Sequence, residues 1–167
     1  MSQATIPSAA ARGAANDSLR VNVSRVLHAT RERVFDAWTK PEQMQQWMGP
    51  AGWVVPELEA DVRPGGKYRI VYRGTPPPAT PGEPPQEVTG AIRGTYLDVV
   101  PHELIRCTRV AEWVPGEETI VTVRLSDVEG GTLVELNQET FLHADSAAQH
   151  TVGWTGSLDK LAEFVER

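Results

Sequence analysis

The sequence predicts an α+β protein, and three observations lead there. The middle of the chain is a series of short alternating segments separated by glycine and proline turns, the pattern of antiparallel strands. Helical periodicity is confined to a short stretch near the start and a long one at the end. Strands and helices do not alternate along the chain, which argues against a parallel α/β sheet.

The elements follow in order. Residues 1–19, which include "SQATIPSAAARGAANDS", are small, polar and aperiodic and read as a disordered tail, without the basic start and apolar stretch of a secretory signal. "LRVNVSRVLHA" alternates from Leu19, with Val21, Val23 and Arg25 facing one way, and reads as a strand. Thr30 is placed to cap a helix "TRERVFDAWTK" that presents Val34, Phe35 and Trp38 on one face. Pro41 suits the first position of a second short helix carrying Met44 and Trp47, ended by Gly49-Pro50.

In "VVPELEADV", Val54, Pro56, Leu58, Ala60 and Val62 are expected on one face and Glu57, Glu59 and Asp61 on the other. Pro64-Gly65 suits a type II turn. "KYRIVYR" then sets Tyr68, Ile70 and Tyr72 against Lys67, Arg69 and Arg73, so acidic and basic outer faces meet across an antiparallel pair. Residues 74–87 hold six prolines and read as an exposed hairpin loop. Four further strands are expected at about 88–98, 103–113, 118–127 and 131–141. Ser146 and Gln149 have capping-box spacing for the last helix. Trp154, Leu158, Leu161 and Val165 make its buried stripe, and Asp159, Lys160, Glu163 and Glu166 lie mostly away from it.

The totals narrow the function. A chain of 167 residues suits one domain. A net charge of −6 argues against a sequence-independent grip on nucleic acid or anionic membrane. No apolar run is long enough to span a bilayer. Cys107 is the sole cysteine, so no internal disulfide forms and a reducing cytoplasm is the expected setting. Nucleophile-elbow, zinc-protease, P-loop and dinucleotide-binding motifs are missing, and no catalytic residue is assigned. Neither a metal nor a cofactor is expected: His143, Asp145 and His150 have no established ligand spacing.

Five stretches carry a resemblance: "VFDAWTKPEQMQQWMGP" (34–50), "DVRPGGKYRI" (61–70), "GTYLDVVPHELI" (94–105), "VTVRLSDVEGGTLVELNQ" (121–138) and "GWTGSLDKLAEFVE" (153–166). They resemble the helix-grip fold of the START/Bet v 1-like superfamily (SRPBCC), and within it the family named after the C-terminal domain of the Hsp90 ATPase activator Aha1. The likeness covers residues 20–167 except the proline loop. It implies one domain in which a curved sheet of six to seven strands wraps the C-terminal helix, with two small helices closing one end. It also implies an elongated apolar cavity between sheet and helix, because relatives in the superfamily bind lipids, sterols, polyketides or other hydrophobic molecules.

On that layout the cavity lining is expected to include Tyr68, Tyr72, Ile92, Trp113, Trp154 and Leu158, with Trp38, Trp47 and Trp53 near one end. Each ring has two readings, core plug or cavity wall. A dry void of ~300 Å³ would cost roughly 7 kcal/mol, so the space must be filled by side chains, water or a ligand. Gln138 shares parity with the inward-facing Val134 and Leu136, and its amide needs partners, from a neighbouring strand, water or a ligand. His150, one turn before Trp154, is a candidate polar contact at the cavity mouth. The expected partner is a lipid-like or aromatic molecule bound by a monomer or homodimer. A cyclase- or dehydratase-like enzyme using the same cavity, and a co-chaperone role, are the alternatives.

Overall fold

The computed structural model describes residues 19–167. The tail expected over 1–19 therefore lies, except for Leu19, outside the described residues. Seven strands, β1 (Val21–Leu27), β2 (Val54–Ala60), β3 (Lys67–Gly74), β4 (Val88–Val100), β5 (Leu104–Ala111), β6 (Glu118–Val128) and β7 (Gly131–Glu139), form one antiparallel sheet in the order β1-β7-β6-β5-β4-β3-β2. The sheet curls into a half-barrel around the long helix α3 (Ala144–Val165). Helices α1 (Arg31–Thr39) and α2 (Pro41–Trp47) carry the chain from edge strand β1 to edge strand β2. The helix-grip architecture implied by the resemblance is the one observed.

Local chemistry accounts for several element ends. The Thr30 hydroxyl accepts from the Arg33 amide at the start of α1, and Pro41 occupies the first turn of α2, where its missing N–H costs nothing. Gly65, at φ +84°, supplies the left-handed position of the turn that Pro64 begins, closed by the Gly66 amide on the Arg63 carbonyl at 2.8 Å. The expected charge pairing of β2 with β3 is present, with Arg69 3.8 Å from Glu57. The stripe on α3 is buried throughout, from Trp154 to Val165.

Three local expectations are corrected. On β2, Val54 is 50% exposed and Val55 is buried, because the register slips between Val54 and Glu57. Pro56 has no N–H to offer the ladder, and such a residue sits comfortably at a bulge, which reverses the parity of what precedes it. Second, Ser146 and Gln149 do not cap α3. The helix starts at Ala144 with His143 as an N-cap that makes no side-chain bond. Its first turn is instead satisfied from a distance: buried Glu117 accepts from the Leu142 amide (2.9 Å) and the Ser146 hydroxyl (2.8 Å), which sets a carboxylate against the positive end of the helix. Third, Lys160 does more than lie away from the buried stripe. Its Nζ lies 2.9–3.3 Å from the carbonyls of Met48, Gly49, Pro50 and Trp53 and ties the segment after α2 to α3. Gly156 allows that segment to come close, since a Cβ there would stand 2.9 Å from the Ala51 nitrogen.

Candidate functional site: a divided interior

The concave side of the sheet is filled at one end and open at the other. At the filled end the rings of Trp38 and Trp47 meet edge to face with centroids 4.6 Å apart, and Trp38 lies 6.0 Å from Trp154. The Trp47 Nε1 donates to the Ala37 carbonyl at 2.8 Å, and the residue is fully buried. What remains is an inner chamber of about 40 Å³, bordered by Trp38, Met44, Tyr68, Tyr96, Cys107 and Trp154 among others. At ~24 cal/mol per Å³ even a dry space of that size costs about 1 kcal/mol.

On the far side of Trp154 lies an outer cleft of about 490 Å³. Its walls come from the segment after α2 (Gly49, Pro50, Trp53), from Tyr72 and Ile92 on the sheet, from Pro76 and Pro77 of the proline loop, and from Trp113. Helix α3 contributes His150, Val152 and Trp154. Two tryptophans reach their places over glycine. A Cβ on Gly74 would stand 2.2 Å from the Trp53 ring, and one on Gly90 would stand 2.8 Å from the Trp113 ring. Trp113 and Val152 are 54% and 75% exposed, so the rim is apolar.

The elongated cavity implied by the resemblance is thus split in two. Trp154 is the partition, held by a polar chain: its Nε1 donates to the Gln138 Oε1 at 2.7 Å, and the Gln138 Nε2 donates to the Thr119 Oγ1 at 2.8 Å. Arg109 completes the wall. Its guanidinium sits 5.2 Å from the Trp154 ring centroid, and its side chain borders both chamber and cleft.

The structure brings together Trp53, Tyr72, Ile92, Trp113, His150 and Trp154 around the cleft. Trp38 and Tyr68 border the inner chamber. Trp47, Gln138 and Leu158 line neither space and are packed in the core, Gln138 with its amide engaged by Thr119 and Trp154. Arg109 was missed, yet a signal existed. It shares parity on β5 with Ile105, Cys107 and Ala111, which face inward, so a cation on the concave face was legible by alternation.

Apart from Arg109, burial favours the neutral forms of the tyrosine, cysteine and histidine side chains around the two spaces. Burial raises the Tyr68 and Tyr72 hydroxyls and pushes the Cys107 thiol up to about 11. The Tyr68 hydroxyl donates to the Thr108 carbonyl at 2.6 Å. Burial, followed by the charge of Arg109, lowers His150 below its ordinary value. The His150 Nδ1 lies 2.8 Å from the Ser146 carbonyl, which can only accept, so Nδ1 carries the proton and Nε2 is the acceptor of the neutral ring. Among the described residues no group of three His, Cys, Asp or Glu side chains suits a metal ion, and no helix is long and apolar enough to cross a membrane.

A family model described as Activator of Hsp90 ATPase homolog 1-like protein matches residues 28–166. Among solved structures, a Chromobacterium violaceum protein is 32% identical with a TM-score of 0.75, the match covering 89% of this chain and 98% of that one. The AHSA1 protein of Silicibacter pomeroyi is 23% identical with a TM-score of 0.71, over 86% of this chain and 95% of that one. DynU16, a protein in the dynemicin biosynthetic locus, is 18% identical with a TM-score of 0.67. That match covers 89% of this chain but 47% of DynU16. No curated protein matches significantly.

Proposed function

The chain belongs to the family of Activator of Hsp90 ATPase homolog 1-like proteins, and from that premise we propose that it binds a small hydrophobic or amphipathic molecule in the outer cleft. The observation that carries this reading is the cleft itself. Its volume of about 490 Å³ falls within the ~300–1,000 Å³ usual for small-molecule sites, and its walls are mostly aromatic and aliphatic. Affinity would come from burying apolar area, at roughly 25 cal/mol per Å² before ordering costs are subtracted. Tyr72, Arg109, Gln149, His150 and Ser157 are wall residues able to meet a polar group. Native mass spectrometry of the purified protein, followed by titration with lipids and aromatic compounds under tryptophan fluorescence, tests the reading. Binding should quench emission, since Trp53, Trp113 and Trp154 all border the cleft. A broad panel with neither a retained nor an added ligand would sink it.

A cyclase- or dehydratase-like reaction in the same cleft draws support from His150 alone. It is the neutral imidazole of the cleft wall, with one nitrogen fixed as donor and the other as acceptor, as a general base requires. Bound compounds recovered after long incubation decide this point. Unchanged mass and chromatographic mobility for every compound that binds would remove the enzymatic reading and leave the binding reading intact.

A further inference from the structure

Arg109 is the one charged member of a mostly apolar wall. It projects from the inward-facing side of β5 between two aromatic-lined spaces. A guanidinium carries a fixed positive charge. Among the described residues no carboxylate pairs with it, whereas Arg20, Arg25, Arg31, Arg63, Arg69 and Arg106 each have a carboxylate partner. The Arg109 Nε is buried and has no hydrogen-bond partner. Two acidic groups that follow it in sequence are engaged elsewhere: Glu112 accepts from the Ala91 amide, and Glu117 from Leu142 and Ser146. Groups that feel its charge, namely Tyr68, Tyr72, Cys107 and His150, are shifted by burial toward their neutral forms. The face of Trp154 offers a quadrupole and no net counter-charge.

Arg109 is half-buried with its Nε out of reach of solvent, and a charge drawn partly out of water is costly unless an opposite one faces it. The cleft provides the room for such a match to come from outside. We propose that Arg109 is the anchor for a carboxylate, so that the outer cleft selects amphipathic carboxylic acids, the head group on the guanidinium and an aryl or alkyl body against Trp53, Ile92, Trp113 and Val152. This rests on the binding reading above and adds the chemical class. The fork of guanidinium donors fits two carboxylate oxygens at once, and the bond is charge-assisted. Neutral molecules of the same shape fill the cleft equally well but leave the cation unmatched.

The test is a set of matched probes, 2-naphthoate and decanoate against their methyl esters, titrated by calorimetry at neutral pH into the wild-type chain, Arg109→Met and Arg109→Lys. Methionine keeps the apolar stem and removes the charge, and lysine keeps a charge without the fork. In the wild type each acid should bind at least about tenfold more tightly than its ester. In R109M the two should come within about twofold, with the ester retaining its wild-type affinity, while R109K keeps part of the preference. Thermal unfolding of each variant checks that the fold survives. Should R109M not fold, the wild-type comparison and R109K carry the result. Equal binding of acid and ester by the wild type overturns the carboxylate anchor and leaves the binding reading standing. Acid preference retained in a folded R109M overturns it too. No binding of any of the four probes overturns the anchor, and the broader panel above then decides the binding reading separately.

Discussion

The inner chamber and the outer cleft share one wall, Trp154 with Arg109, yet one has a volume of about 40 Å³ and the other about 490 Å³. The difference follows from what faces each space. Rings and long side chains from α1, α2, β3, β4 and α3 converge on the chamber: Trp38, Met44, Tyr68, Tyr96 and Trp154. Around the cleft the walls are partly loop, from the segment after α2 and the proline loop, and the strands there carry glycine at 74 and 90, over which the rings of Trp53 and Trp113 pack. The same curved sheet is therefore core at one end and receptacle at the other. Which end is which depends on a few large residues, not on the curvature that the fold supplies.

Removing the shared wall is the strongest way to break the contrast. Trp154→Ala should join chamber and cleft and cost about 3–5 kcal/mol in urea unfolding, the usual range for deleting a buried tryptophan side chain. Part of that loss is polar, because Gln138 Oε1 is left without its donor in a dry setting. Trp154→Phe separates the two contributions, since it loses the N–H while retaining most of the ring. The merged space should also accept a bulkier apolar dye than the wild type does. An alanine variant that loses less than about 1 kcal/mol would mean that Trp154 is not the partition described here.

The two ends were not equally legible in the sequence. The filled end was written in periodicity: the α3 stripe, the faces of α1 and α2, and the alternation of β3 each placed a buried residue correctly. The resemblance then supplied the curvature of the sheet, which no local pattern contains. The open end was harder because its determinants act across the chain. Glu117 replaces a local cap on α3 from 25 residues or more away. Lys160 looks solvated on a helical wheel and is recruited by four carbonyls more than 100 residues earlier. The division of the cavity depends on the Trp154–Gln138 bond, and neither partner announces the other. Arg109 could have been read from parity alone, but a cation on an inward face looks like an exception until the cleft beside it is seen.

Lys160 allows the open end to be weakened without touching its lining. Lys160→Met retains the apolar stem and frees the carbonyls of Met48, Gly49, Pro50 and Trp53, so it should cost about 2 kcal/mol, the scale of losing a charged donor from partly buried acceptors. The effect should be local. Amide exchange should quicken over residues 49–54, whereas the centre of α3 and the chamber residues of β6 keep their protection. Ligand affinity should fall with it, since Gly49, Pro50 and Trp53 are cleft wall. Uniform acceleration across the sheet would instead make Lys160 a support of the whole fold and blur the distinction between the two ends.

The smallest stability effect belongs to Trp113, and it sharpens the contrast most. This ring is 54% exposed and lies over Gly90 at the cleft rim, so only about half of it is buried against the protein. Trp113→Ala should move folding stability by only about 1 kcal/mol, well below the cost of Trp154→Ala. Its role is expected only when a ligand covers it: the area that the ring and the ligand then hide from water contributes roughly 25 cal/mol per Å², so loss of a few tens of Å² of contact weakens binding several-fold. A tryptophan that matters to affinity and hardly to stability is the signature of a receptacle wall. A Trp113→Ala variant that unfolds readily would place this ring with the chamber tryptophans, as part of the core.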